Sequence, residues 1–370
     1  MAKGKFKSIE SVCARIKKDL DTPNPKKPDD TKVSILYACN ASGKTRISKR
    51  FADQYDKQVI YYNAYTEDLF SWDNENNILK INNNKAWIFR FIQEQDIDGD
   101  IVDNFKKFTG SKLEPTLDIT NSQITFGIHT GDNQGIKNIK ISRGEESILI
   151  WSIFFTVLET GVSALNETTL DKRLTRDFDN IHYIVIDDPV SSMDDTRIIT
   201  VALELARLIK KSKNQLKFLI TTHHALFFNV LFTSGKNAGN WDRKNYILSK
   251  SGAEFLLEGQ GSESPFAYHH VAMADIEKAI KDKDIKKYHF NIFRALMEKT
   301  ANFYGYDHWK KCLEGGKHRE EFIKIIDHYS HNKLSELEYR DITNDDKKEF
   351  ETTFRFFMKE FFKQEVRTNG

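Results

Sequence analysis

A glycine-containing turn near the amino terminus carries the clearest chemical pattern in the sequence. Residues 38–45 read ACNASGKT and match G-x-x-x-x-G-K-[ST], except that Ala38 stands at the first glycine. In such loops, backbone N–H groups at a helix amino terminus hold phosphate oxygens, the lysine reaches the β- and γ-phosphates, and the next hydroxyl binds Mg²⁺. A chance GKT in a turn is the alternative. The residues predicted to bind nucleotide here are Asn40, Ser42, Gly43, Lys44 and Thr45, with Thr45 as a magnesium ligand.

An apolar strand that ends in two carboxylates would supply the acidic part of such a site. The segment Ile184–Asp188 reads IVIDD, and we predict that Asp187 holds Mg²⁺ while Asp188 acts as a base toward the attacking water. An ordinary acidic helix cap is the alternative. His223 ends a later predicted strand, where an imidazole could contact the γ-phosphate, although a single histidine is more often structural.

A polar turn before an apolar helix completes this set. The turn Ser142–Glu145 reads SRGE and predicts either an anion site at a helix amino terminus or a simple capping box. Phosphate loop, SRGE turn, acidic strand, Asp194 and His223 follow one another in the order of the ABC-type ATPases, which this region resembles. The resemblance assigns Ser142, Gly144, Glu145 and Asp194 to nucleotide binding, and it implies head-to-tail pairing because the SRGE-type turn acts on a partner's nucleotide.

The region departs from that family in three places. Ala41 replaces a usual glycine, and about twenty extra residues separate the helix after SRGE from the acidic strand. The glutamine that normally contacts the nucleotide site has no obvious counterpart, and Glu67 or Asp68 are the candidates to replace it. These departures concern details of the site, so the predicted domain remains an ABC-type P-loop ATPase.

Longer segments carry a more specific resemblance. They are Tyr61–Asn74, Ile141–Glu159, Val185–Asp195, Ile220–Phe232, Tyr288–Tyr306 and Ile325–Ser335. These segments closely resemble the PrrC family of bacterial anticodon nucleases. In that family the ATPase half regulates and the carboxy-terminal half cuts RNA, so the resemblance implies both activities here.

The resemblance assigns catalysis to Arg294, Glu298 and His331. Metal-free RNA cleavage needs a base for the 2′-hydroxyl proton, an acid for the 5′-oxygen and a cation for the phosphorane. Glu298 and His331 would form the acid–base pair, and Arg294 would hold the phosphate. By spacing alone, an i,i+4 ion pair on a helix is the more common explanation of Arg294 and Glu298. His328 competes with His331, which the family's Ser-His pattern favours.

The resemblance also implies ligands and partners. It predicts ATP or GTP with Mg²⁺, a regulatory pyrimidine nucleotide, and a tRNA substrate, which is lysine tRNA in the best-known member. It further implies 2′,3′-cyclic phosphate and 5′-hydroxyl ends, a homo-oligomer, a role in phage defence, and a type I restriction–modification complex as the silencing partner. Aromatic residues available to stack on bases, although such residues usually belong to a core, are Phe266, Tyr268, Tyr288 and Tyr306.

The elements that must position these residues alternate between strand and helix as far as residue 258. Predicted strands are Val33–Ala38, Gln58–Tyr62, Ile124–Ile128, Ile136–Ile141, His182–Ile186, Lys217–Thr221, Tyr246–Ser249 and Glu254–Leu257. Predicted helices are Ser8–Leu20, one after Lys44, Ala86–Glu94, Ile101–Phe108, Glu145–Glu159 and Arg197–Lys211, and the rest of Asn74–Ser122 is expected to be irregular. This alternation predicts an α/β domain with a mainly parallel sheet.

Two domains are therefore expected. The ATPase domain covers residues 1–258 and includes a proline-rich linker at 22–30. After a turn-rich hinge, residues 266–370 lack clear strand patterns and predict four or five helices, which would form a mostly α-helical nuclease domain.

Composition excludes several other classes. With 370 residues, 39% of them hydrophobic, the chain is typical of globular proteins. Its net charge of +2 neither indicates nor excludes a nucleic-acid binder, because phosphate contacts need only a local basic patch. Its three cysteines share no metal-binding spacing and indicate a reducing, cytoplasmic setting. The longest apolar run, Ile148–Leu158, is shorter than the ~18–20 residues of a membrane helix, and no signal peptide is expected.

Two alternative functions stay open at this stage. One is an ATPase clamp on nucleic acid without nuclease activity, which the lack of a long heptad stretch disfavours. The other is a nuclease with the same scaffold and a different RNA target.

Overall fold

The computed structural model describes residues 3–26, 30–40, 42–63, 69–128, 138–213, 216–237, 241–251, 254–260, 267–317, 319–330 and 342–362. The chain divides into two compact units, unit 1 at residues 1–265 and unit 2 at residues 266–370.

Unit 1 alternates strands and helices along most of its length. Its strands are β1 (Lys3–Phe6), β2 (Thr31–Tyr37), β3 (Val59–Asn63), β4 (Phe70–Asp73), β5 (Ile78–Ile81), β6 (Leu113–Asp118), β7 (Gln123–Ile128), β8 (Tyr183–Asp187), β9 (Lys217–Thr222), β10 (Trp241–Ser251) and β11 (Glu254–Gly259). Its helices are α1 (Ile9–Asp21), α2 (Lys44–Gln54), α3 (Trp87–Gln95), α4 (Asp98–Thr109), α5 (Arg143–Asn166), α6 (Asp195–Lys211) and α7 (Ala225–Asn237).

The main sheet has seven strands in the order β1-β11-β10-β2-β9-β8-β3. The strands from β10 to β3 are parallel wherever they pair, and β11 pairs antiparallel with β10 and β1. The predicted α/β class with a mainly parallel sheet is thereby confirmed. Because β2, β9 and β8 are parallel neighbours, the residues that follow them meet at one edge of the sheet.

Burial explains why the central strands read as continuous apolar runs. Every residue of β2 and of β8 is buried, as expected for strands covered on both faces. On one face, Ile47 and Phe51 of α2 pack in the same cluster as Leu36 of β2 and Val185 of β8. This packing fixes the start of α2 against the end of β2.

A second, four-stranded sheet corrects the expectation for residues 74–122. Strands β4, β5, β7 and β6 pair antiparallel in that order. The two predicted helices are present as α3 and α4, which lie between β5 and β6 in the chain. Only β7 of these strands was predicted. The predicted strand Ile136–Ile141 is wrong in its described part, because residues 138–141 form no strand, although Ile139 N–H donates to Phe126 O at 3.0 Å.

Helix α5 corrects the expectation that the longest apolar segment is too short to cross a membrane. It extends beyond Ile148–Leu158 at both ends. Ser152 and Thr156 can be buried in it because their hydroxyls donate to carbonyls of their own helix, at 2.7 and 2.8 Å. By length and composition alone α5 could cross a membrane, but 83% of its most apolar window is buried inside the protein. Its burial is that of a core helix.

Helices are the regular elements of unit 2 within its described residues, joined by turns. It contains α8 (Ala267–Lys281), α9 (Lys287–Phe303), α10 (Arg319–Ser330) and α11 (Asn344–Phe362), with a short 3₁₀ turn at Trp309–Leu313. Phe293 of α9 lies at the centre of the core, where its ring contacts the rings of Phe322, Phe350, Phe354 and Phe357. The helical character agrees with the expectation for this part of the chain.

Candidate functional site

The phosphate loop connects β2 to α2, as its pattern predicts. Gly43 has a φ of 101°, in the region that favours glycine, and α2 begins directly after it at Lys44. The Ser42 hydroxyl donates to Cys39 O at 2.5 Å, which closes the turn. Ala38 is fully buried and its N–H donates to Thr222 O at 3.0 Å, so a small residue fits this position. Ala41 lies outside the described residues.

Lys44 is held inside this loop. Its Nζ donates to Ala38 O at 3.0 Å and Cys39 O at 3.1 Å, and lies 3.8 Å from Asp188 Oδ2. The side chain is only 6% exposed, and burial lowers the pKa of Lys44 against the opposing pull of Asp188 and Asp187. A buried ammonium at the amino terminus of a helix is suited to receive phosphate oxygens.

Asp187 is the residue in this group that could hold Mg²⁺, because its carboxylate is a hard oxygen ligand. Its carboxylate accepts a hydrogen bond from the Thr221 hydroxyl, while its buried Oδ2 has no hydrogen-bond partner among the described residues. Burial raises the pKa of Asp187, and hydrogen bonds from Thr221 and Thr45 act in the opposite direction. An unpartnered carboxylate oxygen next to the Thr45 hydroxyl fits a small divalent cation.

Asp188 and His223 are in direct contact. Asp188 Oδ2 lies 2.5 Å from His223 Nδ1, and Asp188 Oδ1 accepts from the His223 N–H at 3.1 Å and from the Thr222 hydroxyl at 3.3 Å. Burial favours the neutral acid, but His223 and Lys44 outweigh it and hold the pKa of Asp188 below its ordinary value. Asp188 is therefore a charged group that orients the histidine.

The SRGE turn forms the predicted capping box. Ser142 N–H donates to Glu145 Oε2 at 2.8 Å, and Glu145 N–H donates to Ser142 Oγ at 3.3 Å. A Cβ added to Gly144 would lie 3.1 Å from Ser192 O, so this turn packs against the segment that leads to Asp194, the cap of α6. No hydrogen bond or ion pair within the described ranges joins Ser142, Gly144 or Glu145 to the Lys44–Asp188 group.

Unit 2 places Arg294 and Glu298 on one face of α9. Arg294 Nε donates to Glu298 Oε1 at 2.9 Å, and the guanidinium lies 5.6 Å from the centre of the Trp309 ring. The side chains are 23% and 46% exposed. His331 lies outside the described residues, as does the side chain of His328, whose backbone belongs to α10.

Sequence reasoning missed the threonines that bind the two carboxylates. In the parallel ladder Asp187 lies opposite Thr221, and Asp188 N–H donates to Thr221 O at 2.9 Å. The signal was present, since Thr221 and Thr222 directly precede His223. Tyr61 was also missed, and burial together with the charge of Asp187 raises the pKa of its hydroxyl. Glu67 and Asp68, proposed for this neighbourhood, lie outside the described residues.

Comparisons with known proteins found a matching family, a related nuclease and similar solved structures. Residues 90–363 match a family described as an AAA domain. An anticodon nuclease from Escherichia coli is 38% identical, over 82% of this chain and 83% of that protein. Among solved structures, an SMC head domain from Thermotoga maritima is 12% identical, covering 62% of this chain and 90% of that one, with a TM-score of 0.31. An SMC head bound to the C-winged helix domain of ScpA is 13% identical, covering 63% and 91%, with a TM-score of 0.33.

Proposed function

The chain belongs to the anticodon nuclease family, and on that premise we propose that it is an endoribonuclease that cuts tRNA in the anticodon loop under the control of a nucleotide bound by unit 1. The observation that carries the proposal is the likeness to the Escherichia coli protein, whose 82% coverage exceeds the length of either unit and so includes parts of both.

The nucleotide would be ATP or GTP with Mg²⁺. Lys44 and the backbone of residues 40–45 would hold the phosphates, and Thr45 and Asp187 would hold the cation, which neutralises charge on the β- and γ-phosphates when bound. Asp188 holds the His223 ring through its contact with Nδ1 and would accept a proton from the attacking water. We also propose that the protein binds a pyrimidine nucleotide as a second, regulatory ligand.

The Ser142–Glu145 turn and Asp194 would complete the nucleotide site of a second copy. They lie together in unit 1, and no hydrogen bond or ion pair among the described residues joins them to the Lys44–Asp188 group of their own chain. A Ser142→Arg protein and a Lys44→Ala protein, each inactive alone, should then recover hydrolysis when mixed, because one intact composite site forms. A protein that stays monomeric during turnover with full activity would refute head-to-tail pairing.

Cleavage would proceed by transesterification in unit 2. The 2′-oxygen attacks phosphorus as its proton passes to the base of the Glu298–His331 pair, and the P–O5′ bond breaks as the acid of that pair protonates the 5′-oxygen. Arg294 stabilises the negative charge on the phosphorane. The products are a 2′,3′-cyclic phosphate and a 5′-hydroxyl, and no metal takes part in the step.

End-group analysis of lysine tRNA tests this function. His331→Ala should lose cutting by ~10²–10⁴-fold while nucleotide hydrolysis persists, since the acid–base group is lost and the unit 1 residues are intact. His328→Ala is the matched control and should cost much less. Cutting should also survive chelation once nucleotide activation is bypassed. A 5′-phosphate product would contradict the proposed residues.

The biological setting follows from the same premise. We expect a cytoplasmic enzyme that acts in phage defence and is kept silent by a type I restriction–modification complex. Sequencing of RNA ends after brief expression would identify the tRNA and the bond that is cut, and ends in another RNA class would redirect the substrate assignment while keeping the nuclease.

A further inference from the structure

Unit 2 contains a cavity that the proposed reaction does not use. It has a volume of about 280 Å³ and lies between the turn at Leu313–Lys317, the start of α10 and the middle of α11. Neither Arg294 nor Glu298 lines it. Its position and its lining groups suggest a separate binding site.

The turn that forms one wall depends on two glycines. Gly315 has a φ of +84°, a conformation that other residues rarely adopt. A Cβ added to Gly316 would lie 3.2 Å from Leu313 O and 3.2 Å from the Phe356 ring, so the backbone approaches α11 more closely than a side chain would allow. Helix α10 begins at Arg319, and its first N–H groups have no partners within the helix.

Two residues that line this cavity carry a side-chain donor without a partner among the described residues. Thr353 is only 4% exposed, and its Oγ1 forms no hydrogen bond within the described part of the chain. Arg319 Nε is likewise buried and without a hydrogen bond to any described residue. The neighbouring Thr352 behaves differently, because its hydroxyl donates to Lys348 O at 2.9 Å within its own helix. A buried polar group without a partner destabilises a fold unless a ligand supplies that partner.

Acidic groups nearby offer a competing explanation. Glu349 Oε1, one turn before Thr353, is also buried without a hydrogen bond among described residues, so an Arg319–Glu349 ion pair is the competing interpretation. Glu320 and Glu321 lie in the first turn of α10, but both are exposed. None of these three residues lines the cavity, whereas Lys317, Arg319 and Thr353 do.

We propose that this cavity binds a phosphate group. The amino terminus of α10, Arg319 Nε and Thr353 Oγ1 donate hydrogen bonds to its oxygens, and Lys317 adds positive charge. The 3₁₀ turn at Trp309–Leu313 connects the site to the Arg294 guanidinium, which lies over Trp309, and it spans about 8 Å at ~2 Å per residue. The phosphate belongs to an RNA backbone or to a free nucleotide, and only the RNA source rests on the proposed function.

Titration of the full-length chain with inorganic phosphate tests the site. Lys44→Ala serves as the background, so that the phosphate loop does not contribute. Thr353→Val should weaken binding roughly tenfold to a hundredfold, the effect of losing a hydrogen bond to a charged group. Thr352→Val is the matched control and should leave the affinity unchanged, because that hydroxyl is already bonded within α11.

Two further titrations distinguish the sources of the phosphate. A 2′-O-methyl RNA oligonucleotide cannot be cut and reports the RNA backbone, whereas uridine 5′-monophosphate reports a free nucleotide. The source is the ligand whose affinity falls in Thr353→Val. Failure of the wild-type protein to cut any RNA would contradict the proposed function and leave the inorganic phosphate result valid.

Stability without phosphate provides an independent measurement. Thr353→Val should raise the unfolding midpoint, because a methyl group replaces an unpartnered hydroxyl. A lower midpoint would show that the hydroxyl has a structural partner and would count against the site. The proposal is overturned if Thr353→Val and Arg319→Gln both bind phosphate as well as Thr352→Val does, while Glu349→Gln destabilises the fold. In that case an Arg319–Glu349 ion pair explains the buried groups beside the cavity.

Discussion

Lys44 of unit 1 and Arg294 of unit 2 are both cations assigned to a phosphate, and their surroundings differ in kind. Lys44 is 6% exposed and meets groups from residues 38–39 and Asp188, which lie far apart in the chain. Arg294 is 23% exposed and pairs with Glu298 one helical turn away. The first arrangement requires the tertiary fold, whereas the second requires only a helix.

Because of this difference, the two arrangements give unequal support to a functional assignment. Ion pairs at i,i+4 occur on helices without any catalytic role, so the contact between Arg294 and Glu298 is compatible with either interpretation. The Lys44–Asp188–His223 group has no such simple alternative, because three separate strands must end at the same edge of a sheet to form it. The tertiary structure therefore supports the assignment of a nucleotide site to unit 1. Family membership and chemistry support the assignment of catalysis to unit 2.

The largest effect on the unit 1 site is expected from Lys44→Ala. Removing a charged donor to the transferring phosphate should lower nucleotide hydrolysis by ~10²–10³-fold. Lys49→Ala, an exposed lysine on the same helix, is the control and should hydrolyse normally. Hydrolysis of purified protein is the measurement, and wild-type rates in Lys44→Ala would remove the site assignment.

An intermediate effect should separate the two adjacent carboxylates. Because His223 and Lys44 hold the pKa of Asp188 low, its charge stabilises the fold above about pH 4, and that stabilisation is lost as the pH falls through the folded pKa. Asp188→Asn should therefore lower the free energy of unfolding by about 1.5–3 kcal/mol at pH 7 and by nothing in strong acid. Asparagine tolerates the φ of 52° at this position, so the backbone adds no strain.

Asp187→Asn is the informative partner of that variant. Burial raises the pKa of Asp187, so its charge is unfavourable to the fold at neutral pH without a cation. The free energy of unfolding should rise at pH 7 in Mg²⁺-free buffer, the opposite sign to Asp188→Asn. Denaturant unfolding across a pH series measures both, and equal signs would contradict the distinct environments.

The smallest effect is expected on the stability of unit 2. Glu298→Ala breaks an exposed i,i+4 pair and should change the free energy of unfolding by only about 0.3–0.5 kcal/mol. Glu351→Ala breaks the similar pair with Arg355 on α11, 2.7 Å apart, and should cost the same. Only Glu298→Ala should lose tRNA cutting. Normal cutting by Glu298→Ala would show that Arg294 and Glu298 are an ordinary ion pair. Loss of cutting in both variants would show that the loss is not specific to Glu298 and would also count against its catalytic role.

The local pattern of apolar residues predicted most strands of the main sheet but missed three strands of the second sheet. Strands β2, β8 and β9 are buried on both faces, so their apolar runs stand out within one or two residues of their true bounds. Strands β4, β5 and β6 are short and mix buried with partly exposed positions, and asparagine-rich turns follow β4 and β5. Their stability comes from cross-strand partners, such as Leu79 opposite Ile124, which no local window contains.

The amino-acid sequence by itself determined the order of the motifs, the α/β class and the helical character of residues 266–370, because these depend on residue type and period along the chain. Only the tertiary structure decided that Thr221 and Thr222 bind Asp187 and Asp188, that Asp188 is held charged, and that Thr353 and Arg319 share a cavity. Those properties depend on burial and on distances between residues far apart in the chain, and such distances exist only once the chain has packed.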